Sequence, residues 1–354
     1  MTKKSYHTVH AKFKLNGSHF TREELYDVAC TYVTKNDEYL QNTGDFLLRW
    51  LDDSDFVMVQ TSGTTGKPKQ IKLTKQAMIN SALATGSFFD LKPSDSALCC
   101  LPVKYIAGKM MMVRAIVLGL EMDLVEPKLS PLKATERKYD FAAMVPLQVE
   151  NSLDKIEQIK QLIIGGAKVD FDLVSKIKET DCKAYETYSM TETITHIAAK
   201  RVGAEAFTIL PKIKISLDGR GCLVIDAPEL NPDRVVTNDL VSILSATEFI
   251  WNGRIDNVIN SGGIKIFPEQ IEEKLADKIA NRFFIGSMKD KILGEKIILI
   301  VEGEENKIED MIFRDLAKYE KPKAIFYIPK FMETETGKIK RKEIMEILEI
   351  KNPA

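Results

Sequence analysis

Apolar positions along the chain recur with two alternating periods. Thr21-x-x-Glu24 forms a capping-box pattern, and the apolar positions after it repeat at helical spacing to about Val33, which predicts a helix there. A second amphipathic stretch covers Gly44–Leu51. Asp55–Gln60 reads as a buried strand that runs into a polar, glycine-containing segment, Thr61–Lys69. Helices are expected over about Thr74–Phe89, Met110–Leu120, Leu153–Ile159 and Phe171–Glu179. Strands are expected at Ala97–Leu101, Asp123–Val125, Phe141–Val145, Gln161–Ile164 and Lys183–Tyr188. Strands alternating with helices in this way imply an α/β fold built on a mainly parallel sheet.

From Ile213 to Ile250 the pattern changes to short alternating strands broken by Gly, Asn, Pro and Asp. That predicts a small antiparallel, β-barrel-like subdomain closing a large first domain. After Gly253-Arg254-Ile255-Asp256 a third pattern begins: a Gly-rich turn, then a Pro-headed helix over Pro268–Leu275. Strands near Phe283–Ile285 and Lys296–Val301 follow, with helices near Ile308–Tyr319 and Arg341–Ile350. This is an α+β pattern, so the expected division is an N-terminal domain of residues 1–255 and a smaller C-terminal domain of residues 256–354. A length of 354 residues is consistent with two domains.

Composition mainly excludes. The 50 Lys+Arg and 51 Asp+Glu nearly cancel, so no global charge favours nucleic acid or an anionic membrane. The five cysteines are scattered, without a CxxC pair, which argues against a disulfide framework. The basic start is followed by no apolar stretch of signal-peptide length, and no segment is long enough for a membrane span, so a cytoplasmic location is expected. His7, His10 and His19 lie in the first nineteen residues and His196 stands alone in the rest. A Ser-His-Asp machine or a multi-histidine zinc site in the body of the chain is therefore hard to build. The His7-x-x-His10 pair reads as a surface feature.

The segment Thr61–Lys69 carries the strongest chemical signal. Hydroxyls at Thr61, Ser62, Thr64 and Thr65 surround Gly63 and Gly66, with Lys67 and Lys69 adding positive charge. Glycines let backbone N–H groups approach an anion closely, and the hydroxyls add donors, so a phosphate cradle is expected. It is not a Walker A loop, because only two residues separate the glycines and no Ser or Thr follows Lys67.

This segment resembles the nucleotide-phosphate loop of the adenylate-forming enzymes, the superfamily of acyl-CoA synthetases, luciferases and peptide-synthetase adenylation domains. The other motifs follow in the family's order. Gly165-Gly166-Ala167 resembles its adenine-contacting turn. Tyr188-Ser189-Met190-Thr191-Glu192 resembles Tyr-Gly-x-Thr-Glu, which implies a ring against adenine, Thr191 at the α-phosphate and Glu192 as the Mg2+ ligand. Thr237-Asn238-Asp239 resembles the ribose-binding Thr-Gly-Asp, and Gly253-Arg254-x-Asp256 the ribose-contacting arginine and the hinge, Asp256. Ser261-Gly262-Gly263, with Pro268-Glu269-x-Ile271-Glu272 after it, resembles the loop beside the CoA tunnel. Thr336-Gly337-Lys338, with Arg341 downstream, resembles the catalytic-lysine segment.

The resemblance implies a shortened adenylate-forming fold whose mobile C-terminal domain carries Lys338. It also implies ATP and Mg2+ as cofactors, coenzyme A as a substrate, and a carboxylic acid joined to CoA through an acyl-AMP. Several positions depart from the pattern. Gln70 and Ser189 replace glycines, Tyr105 occupies the place of the usual histidine beside the acyl pocket, and only residues 1–60 precede the loop.

Within the family the chain is most similar to the o-succinylbenzoate–CoA ligases of menaquinone biosynthesis. The similar segments are Met190–Ile197 and the stretch from Leu101 through Ala107, Gly108 and Arg114 to Gly119. After activation, o-succinylbenzoate keeps a second carboxylate that needs a cation or several donors. Tyr105, Gly108, Lys109, Arg114 and His196 are the candidate acyl-pocket residues, with Lys109 and Arg114 the candidate cations. Another aromatic or short-chain acyl-CoA ligase, a free-standing adenylation domain and, least favoured, a non-catalytic nucleotide-binding module remain as alternatives. A homo-oligomer is left open.

Overall fold

The structure, a computed structural model, describes residues 5–60, 70–306, 308–333 and 339–351. Two short strands, β1 (Lys14–Leu15) and β2 (Ser18–His19), precede helices α1 (Arg22–Val33) and α2 (Glu38–Leu51). The capping box at the head of α1 is formed: the Thr21 hydroxyl accepts from Glu24 N–H at 3.2 Å, and the Glu24 carboxylate accepts from Thr21 N–H at 2.7 Å. Two of the orphan donors at the helix start are thereby satisfied reciprocally.

The strand expected at 55–60 is present as β3 (Phe56–Gln60). It pairs antiparallel with β4 (Gln70–Thr74) in a two-stranded ribbon outside the main sheet. Residues 61–69, and with them the expected phosphate cradle (Thr61, Ser62, Gly63, Thr64, Thr65, Gly66, Lys67, Lys69), lie outside the described residues.

The parallel sheet follows through α3 (Lys75–Phe88), β5 (Ser96–Cys99), α4 (Ile106–Leu118), β6 (Glu121–Leu124) and β7 (Tyr139–Met144). It continues through α5 (Pro146–Glu150), β8 (Ile159–Ile164), α6 (Phe171–Lys178) and β9 (Lys183–Ser189). The segment expected to be helical at 153–159 is a 3-10 turn over Leu153–Gln158. Strands β1, β6, β5, β7, β8 and β9 lie side by side in that order, each parallel to the next.

Side chains alternate between two apolar clusters. Ala97 and Cys99 of β5 face the core built with α1–α4, whereas Leu98 and the following Cys100 face the core built with α6. Both faces are covered, which is why these strands read as continuous apolar runs.

The antiparallel strands are β10 (His196–Arg201), β11 (Ala206–Ile209), β12 (Lys214–Leu217), β13 (Cys222–Asp226), β14 (Val235–Ser245) and β15 (Glu248–Arg254). They have their own apolar cluster around Ile197, Leu223 and Phe249. The change of direction occurs at the β9–β10 pair, so the antiparallel half begins earlier than Ile213 and extends the same sheet to thirteen strands.

A second, five-stranded sheet contains β16 (Ile259–Ser261), β17 (Ile264–Ile266), β18 (Phe283–Asp290), β19 (Gly294–Glu302) and β20 (Ala324–Ile328). Helices α7 (Pro268–Leu275) and α8 (Arg341–Lys351) accompany it. The helix expected at 308–319 is reduced to a 3-10 turn at Asp310–Phe313. Phe313 and Leu316 are buried there, Ile308 and Ile312 pack beside them and Met311 is exposed, so the apolar period persists although the helical turn is short. Among the described residues, no helix is long and apolar enough to cross a membrane.

Candidate active site

The change from parallel to antiparallel strands puts several expected site residues around one cavity of about 920 Å³. Open α/β sheets place ligands at the carboxyl ends of their strands, and the residues that leave β8 and β9 line this cavity: Gly165, Gly166, Thr187, Ser189 and Thr191. A Cβ at Gly165 would stand 2.9 Å from Thr187 Oγ1, and Gly166 has φ +90°, so this turn needs glycine at both positions. Ala167 and Met190 are partly buried, and neither lines the cavity.

Beside it, Tyr188, Asp239, Arg254 and Asp256 form one polar cluster. Strand pairing sets Asp239 opposite Arg254. Tyr188 O–H donates to Asp239 Oδ2 at 2.6 Å, and Trp251 Nε1–H donates to Oδ1 at 3.1 Å. Burial, followed by the Asp239 charge, pushes the Tyr188 phenol well up, so it remains a donor. Arg254 donates to Asp256 at 2.6 Å and holds that carboxyl below its usual range. Asn238 also donates to Asp256, at 3.1 and 3.2 Å, and accepts from Arg220 at 3.1 Å. Sequence reasoning missed Trp251 and Arg220. An indole two residues before Gly253-Arg254, and therefore on the same face of its strand as Gly253, was the available signal for Trp251.

Glu192 is exposed on a 3-10 turn, Thr191–Thr193, and its carboxylate has no partner among the described residues. Asn231 donates to the Glu192 carbonyl at 3.0 Å and fixes the turn. The next residue but one, Ile194, has φ +67° and ψ −59°, and Thr195 N–H donates to Thr193 O at 2.8 Å. This is a γ-turn around a buried β-branched residue, a strained conformation that L residues rarely adopt. It turns the chain so that both Thr195 and His196 line the cavity.

One side of the cavity is apolar, lined by Leu101, Pro102, Ile106, Ala107, Met144 and Val145, with Tyr105 at the head of α4. Arg114 projects from α4 into this region and is 1% exposed. It has no carboxylate partner among the described residues; its neighbours are Thr85 Oγ1, Thr195 Oγ1 and His196 Nδ1, each at 3.4 Å, and Met111 Sδ at 3.6 Å. Burial lowers its pKa to about 10, which still leaves a full positive charge at neutral pH.

Lys109 is a correction. Its ammonium donates to Val103 O at 2.7 Å and Lys104 O at 2.5 Å, lies over the Phe46 ring, and does not line the cavity. Five residues along α4 from Arg114, it points to another side of the helix. Gly108 likewise packs against the Pro102 carbonyl, where a side chain would clash, and contributes no lining.

Ser261 ends β16, and Gly262 and Gly263 form the β16–β17 turn with φ +59° and +81°, the signs a two-residue I′ hairpin requires. Lys338 lies outside the described residues.

A large mixed sheet with a polar Tyr–Asp–Arg cluster beside a half-apolar cavity, followed by a small second sheet, is the architecture of adenylate-forming ligases. Residues 13–236 match the family model described as AMP-binding enzyme. An acyl-CoA synthetase (AMP-forming)/AMP-acid ligase II-like protein from Dyadobacter fermentans is 35% identical, with a TM-score of 0.62 over 91% of this chain and 98% of that one. The 2-succinylbenzoate–CoA ligase of Listeria monocytogenes is 26% identical over 82% of this chain and 69% of its own length. o-Succinylbenzoate coenzyme A synthetase from Bacillus subtilis, solved with ATP and magnesium, superposes with a TM-score of 0.69 at 20% identity, covering 81% of this chain and 69% of that one. The chain belongs to the AMP-binding enzyme family and is an AMP-forming acid–CoA ligase.

Proposed function

We propose that this enzyme activates o-succinylbenzoate with ATP and transfers the acyl group to coenzyme A. The observation that carries the reading is Arg114, a buried guanidinium with no carboxylate partner among the described residues, lining the cavity beside the apolar wall of Leu101, Pro102, Ile106 and Ala107; Lys128 and Lys133 are further cations on the lining. A buried cation left without a counter-ion costs several kcal/mol, and a substrate carboxylate would offset that cost. An aromatic acid with a second carboxylate fits both the apolar wall and the charge at its end. The similarity to 2-succinylbenzoate–CoA ligases supports the same substrate.

In this reading, the carboxylate to be activated attacks the α-phosphorus of ATP; a new O–P bond forms and pyrophosphate leaves. Asp239, oriented by Tyr188 and Trp251, takes the ribose hydroxyls together with Arg254, and the 165–167 turn and Tyr188 take the adenine. Residues 61–69 hold the phosphates. Thr191 touches the α-phosphate, and Lys338 stabilises charge as it shifts onto the phosphoryl oxygens. Glu192 is the residue to hold Mg2+: one exposed, unpartnered carboxylate completed by phosphate and water oxygens is a donor set that ion uses. Bound there, the ion would neutralise phosphate charge. In the second half-reaction the CoA thiolate attacks the acyl carbon and AMP leaves. Residues 256–354 form a separate domain that turns about Asp256 and brings Ser261–Gly263 to the site.

ATP–pyrophosphate exchange with a panel of acids tests the assignment. o-Succinylbenzoate is expected to support the fastest exchange. Faster exchange with benzoate or a fatty acid would leave the ligase class standing and overturn this substrate.

A further inference from the structure

Arg114 is held by groups that carry no charge. Its Nε–H faces Thr85 Oγ1, and its Nη2 faces both Thr195 Oγ1 and His196 Nδ1, all at 3.4 Å. The proton inventory then assigns the histidine tautomer. The Thr85 hydroxyl spends its one proton on the Ser81 carbonyl, at 3.0 Å. Thr85 Oγ1 can therefore only accept from His196 Nε2, 3.4 Å away, so the imidazole carries its proton on Nε2. Nδ1 is left with its lone pair toward the guanidinium and the Thr195 hydroxyl, each at 3.4 Å. His196 is 2% exposed, and burial, reinforced by the Arg114 charge, pushes its pKa well down. Its ring also meets Phe89 edge-on, with centroids 6.2 Å apart, and the γ-turn at Ile194 fixes the backbone just before it.

An acid at position 196 would pair with Arg114 and cancel the charge. A neutral acceptor orients the guanidinium and leaves its charge available to a ligand. We propose that His196 is a positioning residue which, as an uncharged acceptor, keeps Arg114 available and so sets selectivity for acids with a second carboxylate. The inference rests on the substrate reading above and goes beyond it, because it assigns the selectivity to a residue that does not itself pair with the substrate's charge.

The test compares adenylation kinetics of three variants on o-succinylbenzoate and on benzoate, with the KM for ATP measured alongside. His196→Gln keeps a neutral acceptor and is expected to stay within a few-fold of the unmodified enzyme in KM for o-succinylbenzoate. His196→Asp supplies an internal counter-ion and is expected to raise that KM about 10- to 100-fold, the worth of one charge-assisted hydrogen bond. Benzoate and ATP should be little affected. His196→Leu, which keeps bulk without an acceptor, should also lose o-succinylbenzoate by at least about tenfold, and it carries the comparison with His196→Gln if the aspartate variant does not fold. Retained selectivity in His196→Asp, or equal loss in His196→Gln and His196→Leu, would overturn the role. An unmodified enzyme that does not prefer o-succinylbenzoate to benzoate would instead overturn the substrate reading itself.

Discussion

At the scale of single residues, the site depends on how many donors each carboxylate receives. Asp239 is buried with both oxygens engaged, one by Tyr188 and one by Trp251. In the proposed reading Asp239 takes two ribose hydroxyls, and an oriented carboxylate loses less freedom in doing so, so the indole would act on nucleotide affinity through Asp239. Trp251→Phe keeps an aromatic ring and removes only the donor. It is expected to raise the KM for ATP about tenfold, near the lower end for a hydrogen bond to a charged group. The KM for the acid should not move. A parallel rise in both constants would mean that the indole supports the sheet rather than the nucleotide site.

At the scale of elements, α4 shows how one helix can serve both core and site. Its residues from Gly108 to Leu118 are buried on every side, as in a helix enclosed by its domain. Two cations are therefore buried with it, and they are treated differently. Arg114 meets the cavity, while Lys109 is held away from it, two of its N–H groups donating to backbone carbonyls. Burial, helped by the nearby Arg49, lowers the Lys109 pKa from 10.5 to about 8. The folded state thus releases this proton near pH 8 while the unfolded chain keeps it to about 10.5. Between those values the unfolded state binds more protons, so the contribution of Lys109 to stability rises with pH. Urea unfolding of the unmodified protein and Lys109→Met at pH 7 and pH 9.5 checks this. The difference should move in favour of the unmodified protein at the higher pH; a gap independent of pH would contradict the burial argument.

At the scale of the whole molecule, the chain passes from the first sheet to the second through a polar segment around Arg254–Asn257. Asn238 and Arg254 grip Asp256, and Asn257 donates to Glu269 at the head of α7 at 2.5 Å. Polar, partly exposed contacts of this kind are the sort that domains exchange when they move. If residues 256–354 turn about Asp256 between half-reactions, Lys338 serves only the first. Lys338→Ala is then expected to slow adenylate formation about 10²- to 10³-fold, the usual cost of one preorganised donor. Conversion of preformed acyl-adenylate and CoA to thioester should continue near the normal rate. Equal loss in both half-reactions, measured separately, would exclude the rotation.

Much of this was legible along the chain because it is local. Capping boxes, apolar periods and the order of short motifs depend on neighbours a few residues apart, so α1, the parallel strands and the nucleotide-side residues could be read in sequence. The resemblance of short ordered motifs to those of the adenylate-forming enzymes likewise pointed to Gly165, Gly166, Tyr188 and Asp239 before any geometry was known. What only the tertiary structure decided is long-range. Lys109 and Arg114 are indistinguishable as cations on one apolar helix; which of them faces the cavity depends on how α4 packs against α3 and the sheet. The removal of β3 from the main sheet follows from its pairing with β4, which a strand's own pattern does not encode. The neutral state of His196 requires Thr85, Ser81 and Arg114 to converge from two helices on one strand, and such convergence is a property of the folded core rather than of any segment.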